Sequence, residues 1–173
     1  GKKGHLPEDT HIELVNKLRP LIPESTKHVV FLGDGEFDGT SLQQTLTDFG
    51  WKYVSRTSYN ITIYADDEPF QIEILAAILP QGCYKALRNC EITKKKYGPV
   101  TAVAWWGDDH DEPIFLVTNF WSASKACEYY SMRFTIETFF SDQKSRGFNI
   151  NKSHLSSPQR LTRLMYASCL AYL

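Results

Sequence analysis

The stretch "YYSMRFTIETFFSDQK", residues 129–144, sets Tyr130, Arg133, Glu137 and Lys144 at spacings of three, four and seven. On an α-helix of 3.6 residues per turn these positions return to nearly one side, within roughly 60° of one another. Such a stripe can be a solvated face whose charges, three or four apart, support one another weakly. It can equally set a carboxylate among cations that suit phosphate. The flanking Tyr129, Met132, Phe134, Ile136, Phe139 and Phe140 are bulky and apolar, and a helix apolar on most sides is expected to be buried. A carboxylate in that setting needs a cation or a metal beside it, because an unpaired charge is costly there.

A second acidic group lies in "VVFLGDGEFDG". Asp34 follows a continuous apolar run, residues 28–33, that reads as a strand buried on both faces, as in a parallel sheet. Open α/β sheets bind ligands at the carboxyl ends of their strands, so the location favours function. As a calcium loop, Asp34, Glu36, Asp38 and Gly39 fail at the twelfth position, which is Thr45, and no helix precedes them. As a phosphate cradle, the glycines match neither GxxxxGK nor GxGxxG. Two readings remain. Asp34 or Asp38 makes a turn or caps the next helix, or Asp34 and Glu137 share one Mg²⁺ site, a cation that takes carboxylates, water and substrate phosphate. A pair of such ions about 3.5–4 Å apart would stabilise both oxygens of an in-line phosphoryl displacement, and Arg133 and Lys144 would neutralise backbone phosphates.

The elements that must position these residues form an α/β pattern. Thr10 and Glu13 have capping-box spacing and predict a helix to about Leu18, before Pro20. The strand at 28–33 leads to "TSLQQTLTDFG", a helix capped by Thr40 or Ser41 and closed by Gly50. "WKYVSRTS" is the next strand, completing a βαβ unit. From about Asn60 to Thr118 the chain turns β-rich, with Asp, Gly and Pro at its turns and a hairpin expected around Gly107 to Glu112. That stretch reads as an antiparallel insertion. A long helix is expected from Ser124 to about Ser145, and a last one after Ser157 and Pro158, an N-cap followed by proline.

At 173 residues, 42% hydrophobic and 23% charged, the chain fits one globular domain with a full core and an insertion. It carries neither a run of about 18 apolar residues nor a signal-peptide pattern, which leaves a soluble protein as the expectation. Cys83, Cys90, Cys127 and Cys169 include no CxxC pair, so reduced cytoplasmic thiols are expected. A net charge of −1 argues against a simple nucleic-acid coat, but residues 121–173 hold 7 Lys+Arg against 3 Asp+Glu. Lys94, Lys95 and Lys96 add a second basic cluster. The chain starts at Gly1 and stops within the apolar run "LTRLMYASCLAYL", and reads as a segment of a longer protein.

Tyr130, Arg133, Glu137 and Lys144 together reproduce a Tyr-x2-Arg-x3-Glu-x6-Lys signature, and in this the chain resembles the bacterial DDE transposases of insertion sequence family four. "FLGDGEFDGTSLQQTL", "GWKYVSRTSYN" and "KSRGFNINKSHLSSPQRL" resemble segments of that family in the same order. The resemblance implies a ribonuclease-H-like catalytic core at residues 1–59 and 119–173, partial because its first strands are absent, with a β-rich insertion at 60–118. It implies catalytic, metal-binding roles for Asp34 and Glu137 and DNA contacts by Tyr130, Arg133, Lys144 and Arg56. The first acid of the family has no counterpart, and Asp9 does not lie where the family places it. The segment alone is therefore expected to be inactive. Some relatives stack an extruded base on a tryptophan where this chain has Ile114.

The resulting expectation is a fragment of a DNA transposase that uses Mg²⁺, or Mn²⁺ in its place, to cleave transposon ends and join them to target DNA. It would act as a homodimer on DNA, in the bacterial cytoplasm at the nucleoid. A non-catalytic DNA-binding remnant and a plain α/β domain are the rival readings. Steep salt dependence of DNA binding separates the last from the others.

Overall fold

The computed structural model describes residues 6–172, apart from the side chains at 145, 146, 151 and 172. The chain divides into two compact units, Gly1–Tyr130 and Ser131–Leu173.

The first unit is a mixed α/β structure on a seven-stranded sheet. Helix α1 (Glu8–Leu18) precedes strand β1 (Val30–Gly33), helix α2 (Thr40–Asp48) and strand β2 (Lys52–Thr57). Strands β3 (Thr62–Ala65), β4 (Glu68–Gln71), β5 (Cys83–Ile92), β6 (Tyr97–Trp106) and β7 (Ile114–Thr118) follow, and helix α3 (Ala123–Ser131) reaches the end of the unit. The sheet order is β1-β2-β7-β6-β5-β3-β4. Strands β1 and β2 are parallel, Gly33 opposite Ser55, so the expected βαβ unit is present. Strand β1 is nevertheless the outermost in this sheet and only half-buried along most of its length, because a strand paired on one side cannot be covered as a central one is.

The β-rich stretch continues this sheet. Strand β7 pairs antiparallel with β2, Val54 opposite Thr118 and Arg56 opposite Leu116, and also with β6 across the expected hairpin, Trp105 opposite Ile114. Alternation along the strands sorts their side chains to two faces. Tyr53, Ala102, Ala104, Phe115 and Val117 pack with Val15 of α1 and with Leu42 and Leu46 of α2. Val54, Val103, Ile114 and Leu116 pack on the other face with Ala123, Ala126, Cys127 and Tyr130 of α3. Each fully buried aliphatic side chain of this kind stabilises the unit by about 1.5–3 kcal/mol relative to leaving it in water. Burial also pushes the Cys127 thiol up to about 12, so it stays protonated at neutral pH.

The first helix starts earlier than its Thr10–Glu13 pattern predicts. It begins at Glu8 behind Pro7, whose φ of −59° presets the turn, and Thr10 lies within it. The Glu8 side chain caps another helix. Its Oε1 accepts the backbone N–H groups of Ser41 at 2.8 Å and Leu42 at 3.0 Å, which puts a carboxylate at the positive end of α2. Neither Thr40 nor Ser41 is the N-cap; that residue is Gly39. A Cβ at Gly39 would collide with the Glu8 carboxylate. Gly50, at φ +73°, closes the helix as its sequence predicts.

The second unit, Ser131–Leu173, contains helix α4 (Arg133–Ser141), a π-type turn at Asp142–Arg146, and helix α5 (Pro158–Tyr172). The proline start of α5 is as expected. Its Ser168 hydroxyl donates to Gln143 Oε1 in the turn.

Glu8→Ala removes two capping hydrogen bonds and should lower the stability of the first unit by about 1–2 kcal/mol. Gly39→Ala, which evicts the same carboxylate, should cost a similar amount, and the double variant little more than the worse single one. Urea midpoints measure all three, and a fully additive double variant would overturn the shared cause.

Candidate functional site

Asp34 stands one residue beyond β1, at its carboxyl end. Its Oδ1 accepts the Glu36 N–H at 3.2 Å and its carbonyl accepts the Phe37 N–H at 3.0 Å. The acid therefore does shape its own turn, as the plain reading expects of an Asp-Gly sequence. Gly33 is opposite Ser55 in the parallel ladder, so Asp34 and Arg56 each follow the last paired residue at the same end of the two strands. Arg56 is exposed and, among the described residues, has no ion pair. It shares a cleft of about 430 Å³ with Asp109, Asp111 and Glu112 of the β6–β7 loop.

Asp38, four residues on, is held in place. Its Oδ2 accepts from the Thr57 hydroxyl at 3.0 Å and its carbonyl from Gln43 Nε2 at 3.1 Å. These bonds tie the loop that carries Asp34 to the end of β2 and to α2.

The four signature residues fall in both units, Tyr130 in the first and Arg133, Glu137 and Lys144 in the second. Tyr130 is buried in the α3 packing. The expected single helix from Ser124 to Ser145 is interrupted at Met132, between α3 and α4, and passes into a π-type turn at Asp142. Five-residue hydrogen-bonded rings take more residues per turn than an α-helix, so Lys144 does not keep the phase that α-helical spacing gives it. Such turns are frequent at functional sites.

Within the second unit the geometry of the acid is specific. Arg133 Nη2 donates to Glu137 Oε1 at 2.5 Å, one helical turn apart. Lys144 is exposed. The expectation that this helix is buried is corrected: none of the residues of α4 is buried, and Phe134 and Phe140 are more than half exposed. Its apolar residues are spread round the helix, and among the described residues of the unit α5 is the one other α-helix. The cation predicted beside Glu137 is thus present without the burial that motivated it.

Among the described residues, no three His, Cys, Asp or Glu side chains gather into a group that could hold a metal ion. Carboxylate oxygens are the donor type a hard divalent cation takes, but no metal-assisted step is assigned to these residues by themselves. Ile114 is core. Sequence reasoning missed Glu8, whose partner lies 33 residues away, and nothing in the spacing of the first helix could have found it.

The first unit thus carries an acid at the carboxyl end of a parallel strand, and the second a helix with a paired arginine and glutamate. Residues 8–173 match the family described as the transposase DDE domain, and the chain belongs to that family. Its seven-stranded sheet is compatible with the ribonuclease-H-like architecture of such domains. Members typically use divalent metal ions and act on DNA. A search of curated proteins returns no match. No helix among the described residues is long and apolar enough to cross a membrane.

The Arg133–Glu137 pair leaves its side chains 22% and 51% exposed, and ion pairs of that kind contribute about 0.5 kcal/mol. Glu137→Gln and Arg133→Ala should therefore each change stability by less than about 1 kcal/mol in denaturant titrations. A loss of several kcal/mol would mean that the pair holds the fold rather than serving a site.

Proposed function

We propose that this domain takes part in cutting transposon-end DNA and transferring the freed strand into target DNA, with Asp34 and Glu137 as the carboxylates of the reaction. The observation that carries the reading is Asp34 at the carboxyl end of a parallel strand, with Arg56 following the last paired residue of its neighbour, in a chain of the transposase DDE family. The Tyr-x2-Arg-x3-Glu-x6-Lys pattern supports membership of insertion sequence family four. On this reading residues 60–118 are the β-rich insertion of a ribonuclease-H-like core.

The roles of the side chains follow from their chemistry. Arg133 holds one oxygen of Glu137 and so fixes its rotamer, leaving the other oxygen for a ligand. Arg56 and Lys144 are exposed cations placed for backbone phosphates, which position DNA without reading its sequence. Tyr130 is buried with α3 and on this reading contributes to DNA contact as the resemblance implies. A divalent cation, Mg²⁺ or Mn²⁺, would activate water and stabilise the leaving oxygen; Asp34 and Glu137 would supply two of its ligands, and a third acid is needed. The domain by itself is accordingly inactive on this reading, and the active assembly is a homodimer on DNA.

A non-catalytic DNA-binding role is the alternative, favoured by the absence of a three-acid cluster among the described residues.

The test is strand cleavage of end-labelled DNA by the transposase that carries this domain, with Mg²⁺ or Mn²⁺. Glu137→Gln and Asp34→Asn should each reduce cleavage on the order of 100-fold or more, with DNA affinity retained. Cleavage by either variant at the parent rate would sink the assignment of that residue. Salt-sensitive binding without cleavage in the parent would select the non-catalytic role.

A further inference from the structure

The β5–β6 turn, "ITKKKYG", carries three consecutive lysines whose surroundings differ. Its backbone is pinned: the Thr93 N–H donates to the Thr62 carbonyl at 2.8 Å, and the Lys96 N–H to the Thr93 carbonyl at 3.0 Å. Thr93 and Lys96 both adopt positive φ, which lets the chain reverse tightly. Lys96 is committed. Its Nζ bonds Asp67 Oδ1 at 2.7 Å and lies 5.2 Å from the centre of the Tyr64 ring. The side chains of Lys94 and Lys95, among the described residues, make no hydrogen bond or ion pair.

Both line a cleft of about 490 Å³ together with Thr57, Ser58 and Asn60 and with Thr40 at the start of α2. Glu8 and Asp38 also line it, but their carboxylates are engaged, Glu8 by the α2 amides and Asp38 by the Thr57 hydroxyl. These bonds fix both carboxylates in place, whereas the ammonium groups of Lys94 and Lys95 remain free to turn to a ligand. A second cleft, of about 470 Å³, shares Thr40 and Lys95 with the first and runs on past Ser41 and Gln44. Two adjoining hollows that share Lys95, lined by hydroxyls and amides, with free ammonium groups and with their carboxylates already holding protein donors, can take successive backbone phosphates.

The location joins this trough to the acid. Thr57 ends β2, β2 is parallel to β1, and β1 leads into Asp34. The Asp34 loop is itself fastened to Thr57 through Asp38. The trough thus lies at the end of β2 to which the Asp34 loop is fastened.

We propose that duplex DNA lying at the Asp34 edge continues through this trough, with Lys94 and Lys95 each taking a backbone phosphate. The inference rests on the transposase reading above and adds to it a second phosphate track, separate from Arg133 and Lys144.

The experiment is equilibrium binding of a fluorescent DNA duplex across a series of salt concentrations. The parent protein, Lys94→Ala/Lys95→Ala, Lys94→Arg/Lys95→Arg and Lys144→Ala are compared. Loss of two phosphate contacts should lower the slope of log K against log salt by about two and weaken binding by about 10- to 100-fold at moderate salt. The arginine pair should restore both, and melting temperatures should not move, because these side chains bond to nothing in the fold. An alanine pair with unchanged slope and affinity, in a parent that binds DNA in a salt-sensitive way, overturns the trough and leaves the transposase reading standing. A parent that shows no salt-sensitive DNA binding overturns both.

Discussion

The architecture turns on the pairing of β2 with β7. Strand β2 is parallel to β1 on one side and antiparallel to β7 on the other, so it welds the βαβ unit to the antiparallel meander. The junction is secured by side chains as well as by the ladder. Asn119 Oδ1 accepts the Tyr53 N–H at 3.0 Å while its Nδ2 donates to the Trp51 carbonyl at 3.0 Å, and the Thr118 hydroxyl donates to the Tyr53 carbonyl at 2.5 Å. Buried backbone groups must find partners, and here two consecutive residues supply them at the end of β7. The same weld sets Arg56 on the face that α3 covers and delivers the chain from Thr118 into that helix.

Much of this was legible in the sequence where structure is local. The apolar run ending at Gly33, the Gly50 stop and the β-branched run "WKYVSRTS" gave a strand, a helix and a strand, because hydrophobic period and helix-stop chemistry act within a few residues. The β6–β7 hairpin and the Ser157–Pro158 helix start were readable for the same reason. What could not be read was non-local. That β7 lies between β2 and β6 is a fact of pairing across the whole sheet, and the Glu8 cap joins two helices through a tertiary contact. Thr10 and Glu13 had the right spacing for a cap, but Pro7 had already begun the helix.

The candidate site divides in the same way. Asp34 was singled out because strand ends are where sheets hold ligands, and the expectation of a cation or a metal beside Glu137 is met by Arg133, one helical turn away. Burial of that helix was inferred from its phenylalanines, and the inference failed because apolar composition says how much surface would gain from being covered but not what covers it. The break at Met132 and the π-type turn leave no signature in a pattern of side-chain types. Lys94 and Lys95 were visible as a cluster, yet only the structure separates them from Lys96, which Asp67 holds.

The β2–β7 weld also has a kinetic side. Tyr53 and Asn119 are 66 residues apart, whereas the β3–β4, β5–β6 and β6–β7 pairs are hairpins between neighbours in the chain. Closing a loop of that length costs on the order of 4 kcal/mol of chain entropy before any bond across it forms, and pairings of this kind slow folding. Strand β2 therefore gains its second neighbour only when the meander has come back to meet it. Until that meeting β2 is an open edge of the βαβ unit, its backbone groups on that side still facing water.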